Sequence, residues 1–328
     1  MQILIPLAGK GTRLRPHTHT VPKPLLKVAG RPVLDYVMDD LQSAVRVDEV
    51  LFITGHLKDQ VEAHARESYD VPLRFIEQTV QSGTADAVRL AAPHLTGPVL
   101  IVFVDTLFDA DLRAIERHPE ADGLIWAKEV EDYQRFGVIV TDGEGWMSRI
   151  VEKPDRPISK LANIGVYYIR DPEWLLEGIE HTLAQPPRKG EYYLTDAFQY
   201  MIDRGARIRT LEVEGWYDCG KPETLLETNR VLLERGRALA PEGYDGAVRE
   251  PVRVEADATL EGGELGPNVS IGSRARLVRS RLRDCIVDDG AVIEDCDLHD
   301  SLIGAHAALR GVRGRVLAGD HTVVEMGR

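Results

Sequence analysis

The C-terminal quarter of the chain repeats every 16 residues, and few folds accept that period. Ala275, Ala291 and Ala307 stand 16 apart, as do Leu277, Ile293 and Leu309, and Asp284-Cys285-Ile286-Val287 returns as Asp300-Ser301-Leu302-Ile303. Between these, aliphatic residues fall at steps of five or six: Val254, Leu260, Leu265, Ile271, Leu277, Leu282, Val287, Ile293, Leu298, Ile303 and Leu309. A chain that turns a corner at each step and points one aliphatic side chain inward per face forms a three-sided parallel β-helix, with one coil per repeat. An antiparallel sandwich would instead show turn signals about every 8 to 12 residues.

Ahead of the repeat, short apolar runs alternate with amphipathic stretches, the rhythm of an α/β domain with helices on both faces of a sheet. Strands are expected at 3–7, 49–54, 73–77, 99–104, 123–127, 138–141, 148–152, 164–169 and 208–212, and helices at 33–43, 58–67, 83–92, 111–117, 173–180 and 195–204. Residues 221–237 read as one connecting helix, with Pro222 suited to its first turn, and 241–246 as a punctuated loop. The expected domains are therefore 1–230, a helical linker and loop at 231–246, and the coiled tail at 247–328.

Charge and cysteine usage narrow the function. The formal charge of -13 over 328 residues, with no basic patch, opposes binding to nucleic acid or to an anionic membrane. No stretch approaches a membrane-spanning apolar run, and Met1-Gln2-Ile3-Leu4-Ile5-Pro6 lacks the features of a secretion signal, so a cytoplasmic protein is expected. Cys219, Cys285 and Cys296 are too scattered for a disulfide framework or a zinc site and are read as reduced thiols.

The chemistry is concentrated at the N-terminus. Leu7-Ala8-Gly9-Lys10-Gly11-Thr12-Arg13-Leu14 continues the first strand as a Gly-rich loop, which can aim backbone N–H groups at a polyphosphate where a Cβ would block approach. Arg13 adds a fork for phosphate oxygens. Pro22-Lys23-Pro24 then sets Lys23 on a backbone stiffened by two prolines.

This combination resembles the sugar-1-phosphate nucleotidylyltransferases, whose N-terminal pattern is Gly-x-Gly-Thr-Arg-Leu-x-Pro-x-Thr followed by Pro-Lys-Pro. Further landmarks of that family come in order. Glu77-Gln78 with Ser82-Gly83-Thr84-Ala85-Asp86-Ala87 is similar to its base-recognition segment. Asp105 stands at its metal-binding aspartate. Phe136-Gly137-Val138, Val151-Glu152-Lys153-Pro154 and Ala162-Asn163-Ile164-Gly165 look like its sugar-phosphate wall, and Trp216-Tyr217-Asp218-Cys219-Gly220 like its second metal-ligand loop. The likeness runs from residue 2 to about 230, and the tail resembles that of the long-form glucose-1-phosphate thymidylyltransferases. It implies a Rossmann-like nucleotidyltransferase domain of mixed sheet followed by a short left-handed parallel β-helix.

The resemblance also implies residue roles. Leu7, Ala8, Gly9, Gly11, Thr12, Arg13, Gln78, Gly83 and Thr84 would hold the nucleotide, with Gln78 on the pyrimidine edge and the base lying on the Gly83 backbone. Gly137, Glu152, Lys153 and Asn163 would hold the sugar phosphate, and Asp105 and Asp218 would hold Mg²⁺. Arg13, Lys23, Asp105, Lys153 and Asp218 would carry catalysis. Val104 before the aspartate, Cys219 and Lys221 where Thr is common, and Leu7 where Ala or Gly is commoner depart from the pattern, and Val104 and Leu7 add bulk beside the nucleotide.

These residue types suit the reaction. A sugar phosphate is already an anionic nucleophile, so no general base is required. Two polyanions must instead be joined, and unit like charges about 4 Å apart repel by roughly 4 kcal/mol at an effective dielectric of about 20. Cations must offset this. Nucleoside triphosphate, with dTTP or UTP favoured, and glucose 1-phosphate are the expected substrates. Competing readings are a non-catalytic regulatory subunit of the same fold and an acyltransferase tail. With only His299, His306 and His321 to serve acyl transfer, the tail is better read as a cap or as an assembly surface for a homo-oligomer.

Overall fold

The computed structural model describes residues 1–326. Its contacts divide the chain into two compact units, one formed by Met1–Gly9 with Val37–Trp216, the other by Lys10–Tyr36 with the chain from Tyr217 onward. These units differ from the boundaries expected near 230 and 247. The segment 10–36 has little regular structure of its own, so it groups with the elements it packs on rather than with its neighbours in sequence.

The first unit is built on a nine-stranded mixed sheet. From one edge the strands run Met147–Glu152, Gly137–Thr141, Leu161–Ile169, Val99–Val102, Gln2–Pro6, Glu49–Thr54 and Leu73–Glu77, with Gly123–Glu129 also paired to Leu161–Ile169 and Ile208–Glu212 beyond it. Gln2–Pro6 lies parallel to both of its neighbours, with Leu4 beside Leu51 and Ile101, whereas Leu161–Ile169 is antiparallel to all of its own. The central strands are apolar at successive positions because both faces are covered, and Ile3, Leu4 and Ile5 are fully buried. The helices Thr84–Leu90, Pro172–Leu183 and Leu194–Asp203 bring Val88, Leu175, Ile179, Phe198 and Met201 into the core formed with Leu4, Leu51 and Ile101. The expected strands and helices of this unit recur within a few residues, except that the helix expected at 111–117 shrinks to Ala114–Arg117.

The second unit opens with three single turns of 3₁₀-helix, Thr12–Leu14, His17–His19 and Lys23–Leu25, and a hairpin of Lys27–Val28 with Arg31–Pro32. The connecting helix, expected to reach 237, is regular only over Pro222–Leu232; it ends in an irregular turn, with Gly236 at a φ of 91°.

Among the described residues every strand pairing in the tail is parallel and joins residues 15 to 17 apart: Val252 beside Val269, Leu277 beside Ile293, Leu309 beside Val324. The aliphatic ladder points inward as the spacing requires, with Leu265, Ile271, Leu277, Leu282, Val287, Ile293, Leu298, Ile303 and Leu309 buried together and Leu260 packed against them. Left-handed backbone conformations recur in three columns: Asn268, Asp284 and Asp300; Arg279, Asp295 and Gly311; Arg274, Gly290, His306 and His321. Asn and Asp tolerate this conformation better than most residues, and Asn268 Nδ2 donates to Asp284 Oδ1 of the next turn at 2.7 Å. The pairing is consistent with a parallel β-helix. His306 and His321 are corner residues whose rings stack 5.2 Å apart. All three cysteines are free and buried, and burial pushes the Cys285 thiol up to about 12.

Candidate active site

The central strand Gln2–Pro6 delivers Leu7 and Ala8, both buried, to the mouth of the Gly-rich loop. Leu7 N donates to Ile53 O at 2.9 Å, and Ala8 O accepts from Gln81 Nε2 at 2.6 Å, so the loop leaves the sheet in a fixed direction. The two glycines serve different ends. A Cβ on Gly9 would meet nothing within 4 Å, which leaves open space over that backbone. Gly11 has a φ of 60°, and a Cβ there would press on Thr18 Cγ2 at 2.9 Å and Lys23 Cβ at 3.3 Å. Thr18 Oγ1 donates to Gly11 O at 2.8 Å, closing the loop on itself. Thr12 and Arg13 follow, exposed.

Gly220 marks where the charged candidates of the second unit converge. A Cβ built there would lie 2.7 Å from Asp218 Oδ1, 3.3 Å from Arg13 Nη2 and 3.6 Å from Lys23 Nζ. Two cations and a carboxylate, separated by some 200 residues of sequence, thus surround one point. The carboxylate is aimed by its own loop: Oδ1 accepts from Gly220 N at 2.7 Å and Oδ2 from Thr224 Oγ1 at 3.1 Å. Thr224 belongs to the first turn of Pro222–Leu232, so the helix start orients Asp218.

Around the base-recognition candidates, the structure gives reasons for residue choice that precede any ligand. A Cβ on Gly83 would overlap the Tyr192 backbone, so glycine is demanded there by the close approach of the 191–193 segment. Thr84 Oγ1 accepts from Leu194 N at 2.9 Å at the start of the helix Leu194–Asp203. Gln78 is buried, and its Nε2 donates to Asp86 Oδ2 at 3.2 Å.

The sugar-phosphate candidates Gly137, Glu152, Lys153 and Asn163 are brought together. Asn163 Nδ2 donates to Gly137 O at 2.8 Å, its Oδ1 accepts from the Tyr167 hydroxyl, and Glu152 Oε2 accepts from Thr195 Oγ1 at 3.2 Å. Burial raises the Glu152 pKa, against the opposing pull of the Lys153 charge and the Thr195 hydroxyl. Lys153 Nζ sits 4.7 Å over the Tyr193 ring and 3.9 Å from Glu152 Oε1. The backbone of Lys153 is left-handed, with a φ of 43°, although it is neither glycine nor asparagine and precedes proline. Its N–H donates to Phe136 O at 2.9 Å, which holds this conformation in place.

Asp105, the other metal candidate, follows the strand Val99–Val102. It lies near Tyr167, whose hydroxyl is held protonated first by burial and then by the charges of Glu152 and Asp105. The two aspartates belong to different compact units, Asp105 with the sheet and Asp218 with Arg13 and Lys23. Mg²⁺ is commonly held by one or two carboxylates with the remaining positions taken by substrate phosphates and water, and the Asp218 carboxylate, aimed by two hydrogen bonds, suits that chemistry. No cluster of three His, Cys, Asp or Glu side chains poised to hold a metal occurs among the described residues.

The family profile described as nucleotidyl transferase matches residues 3–235. The chain belongs to this family. Among its relatives, the bifunctional protein GlmU of Methanococcus aeolicus is 33% identical over 81% of this chain; the aligned region spans 62% of that longer protein. A glucose-1-phosphate thymidylyltransferase of Streptomyces antibioticus is 29% identical over 99% of each chain. The crystal structure of a UDP-glucose pyrophosphorylase complexed with UDP-glucose matches 71% of this chain and 98% of its own, with a TM-score of 0.64 and 25% identity.

Within this family member, several contributors escaped the sequence reading. Thr195, Tyr167 and Thr224 each aim a candidate carboxylate or amide, and Arg188 Nη2 donates to Glu152 O at 3.1 Å. Thr195 opens an expected helix and Tyr167 lies in an expected strand, but nothing in spacing alone says which neighbour will touch a motif residue. Gly220 carried a signal, a glycine two residues past a candidate ligand.

Proposed function

We propose that this protein transfers a nucleotidyl group from a nucleoside triphosphate to a sugar 1-phosphate, giving a nucleoside diphosphate sugar and pyrophosphate. The convergence of Arg13, Lys23 and Asp218 on Gly220 supports this most directly, because it concentrates cations beside a carboxylate in a member of the nucleotidyl transferase family. A phosphate oxygen of the sugar attacks the α-phosphorus, and the bond from that phosphorus to the bridging oxygen breaks as pyrophosphate departs. Arg13 and Lys23 stabilise charge growing on pyrophosphate, and Lys153 holds the attacking phosphate in line. Glu152 and Asn163 hold sugar hydroxyls. Gln78 reads the base, and the Leu7–Thr12 loop cradles the triphosphate. Asp105 and Asp218 would hold Mg²⁺, which when bound neutralises phosphate charge.

Glucose 1-phosphate with dTTP or UTP is the favoured pair, supported by the likeness to the Streptomyces glucose-1-phosphate thymidylyltransferase and to the UDP-glucose pyrophosphorylase. Residues 1–230 act as the catalytic domain, in keeping with the span of the family match, joined through 231–246 to a three-sided left-handed β-helix expected at 247–328, of which 327 and 328 lie outside the described residues. No described helix is long and apolar enough to cross a membrane, which suits the cytoplasmic location read from the sequence. Exposed Val323 and Met326 suit a homo-oligomer formed through the end of the tail.

Pyrophosphate release with Mg²⁺ across dTTP, UTP, CTP, GTP and ATP against glucose, N-acetylglucosamine, galactose and mannose 1-phosphates tests this reading. One strong combination, lost in Asp105→Asn, is expected. An empty grid with nucleotide still bound would overturn it in favour of a non-catalytic binding subunit.

A further inference from the structure

The segment Lys10–Tyr36 carries the phosphate-loop residues Gly11, Thr12 and Arg13 together with Lys23, yet its only regular structure up to residue 32 is three single helical turns and a two-residue hairpin. Its own hydrogen bonds mostly close single turns, such as Leu14 N to Gly11 O and Leu25 N to Pro22 O, both at 2.9 Å, so the placement of these turns relative to one another depends on what the segment packs on. Its packing partner is the C-terminal part of the chain, with which it forms one compact unit.

The attachments are specific. Lys27 Nζ lies 2.9 Å from Asp288 Oδ1 and 2.7 Å from Asp289 Oδ2, on a corner of the tail. Burial opposes the Lys27 charge, but the two carboxylates outweigh it and raise its pKa. Asn229, fully buried on the helix Pro222–Leu232, accepts at Oδ1 from Ala29 N at 2.8 Å and from Ser270 Oγ at 2.6 Å, and donates from Nδ2 to Asn268 O at 3.2 Å. It therefore ties the hairpin turn, the helix and the first tail coils at one point. Farther along, a Cβ on Gly319 would lie 3.2 Å from Pro16 Cβ.

From these anchors the path to the charged groups is short. Lys27 follows four residues after Lys23, with Leu26 N bonded to Lys23 O at 3.2 Å. Pro16 and buried His17 precede Thr18, which closes on Gly11 and packs beneath it.

We propose that Asp288, Asp289 and Asn229 are positioning residues for nucleotidyl transfer: acting through Lys27 and Ala29, they set the segment that presents Arg13 and Lys23 to the triphosphate. The tail is then part of the machinery for the nucleotide, besides any role in assembly. This inference rests on the nucleotidyl-transfer reading for its kinetic consequences and on the geometry alone for its effect on triphosphate binding.

The test uses the full chain with Lys27→Met, with the pair Asp288→Asn and Asp289→Asn, and with Lys27→Arg as the conservative control. Initial rates are measured with each substrate varied in turn, and binding of the preferred triphosphate, or dTTP if the grid is empty, is measured by calorimetry. The first two variants are expected to raise the KM and Kd for triphosphate by about fivefold or more, leaving the KM for sugar phosphate within about twofold, and Lys27→Arg is expected to recover most of the loss. A purely stabilising role would lower Tm and leave both KM values alone well below the melting range. Folded variants with unchanged triphosphate KM and Kd would overturn the proposal. If the wild type turns over no substrate, nucleotidyl transfer falls, and the calorimetric comparison still decides the positioning role.

Discussion

Asn163 Nδ2 donates to the Gly137 carbonyl at 2.8 Å, joining two strands at the point where the sugar phosphate is expected to sit. The bond exists because residue 137 has no side chain. A Cβ there would overlap Asn163 Nδ2 and stand 2.8 Å from Glu152 Oε2 and 2.9 Å from Thr195 Cγ2. Gly137→Ala is therefore expected to lower kcat/KM for sugar 1-phosphate by roughly 10- to 100-fold with a much smaller effect on the KM for triphosphate. Steady-state kinetics with each substrate varied reads the split, and equal losses on both substrates would contradict it.

Gly220→Ala probes the opposite end of the reaction. The added methyl must displace the Asp218 carboxylate or the Arg13 guanidinium. A loss of about 10-fold or more in kcat is expected, with a raised Mg²⁺ requirement, because the proposed roles are stabilisation of the departing pyrophosphate for Arg13 and Mg²⁺ binding for Asp218. Titrating Mg²⁺ at saturating substrates measures this; a wild-type Mg²⁺ dependence would separate Asp218 from the metal.

The Glu152 carboxyl titrates above the ordinary glutamate range because burial penalises its charge. Two consequences have opposite signs. Its ionised form is the better acceptor for sugar hydroxyls, so kcat/KM for the sugar phosphate should fall on acidification at a higher pH than a solvated glutamate would produce. Protonation is favoured by the folded state, so the contribution of this group to stability rises as pH drops from its folded value toward the usual 4.5. Comparing pH profiles of wild type and Glu152→Gln isolates the kinetic effect, since titration of the substrate phosphate is common to both. Superimposable profiles would remove Glu152 from sugar binding.

His17 is 6% exposed and its Nε2 finds no hydrogen-bond partner among the described residues. Burial lowers its pKa below 6.5, with Asp320 and Asp288 pulling the other way. Below 6.5 the unfolded chain takes up a proton that the folded chain resists, so this group costs stability as pH falls from there to its folded pKa. Wild type should lose more of its Tm between pH 7.5 and 5.5 than His17→Phe, by about a few degrees. Thermal melts across that range decide it, and equal losses would show that the ring is protonated without cost.

Sequence alone placed most of the elements and named the candidate residues they carry. Periodicity placed nearly every strand of the sheet, because the burial of Ile3 to Ile5 or Val99 to Val102 on both faces leaves a continuous apolar run. The 16-residue spacing fixed which tail side chains point inward, since parallel stacking puts equal repeat positions in one column. The Gly-rich loop and Pro-Lys-Pro named Arg13 and Lys23, and the resemblance to the family named Asp218, Glu152 and Asn163. Only the tertiary structure decided which of these meet. Arg13 and Asp218 face the same glycine after some 200 intervening residues, Thr195 orients Glu152 from a helix 43 residues further along the chain, and the segment carrying Arg13 and Lys23 is tied to Asn229 and Asp288. Local pattern encodes which face of a strand or helix is buried. Contacts between distant segments depend on how whole elements pack, and no spacing within one segment records that.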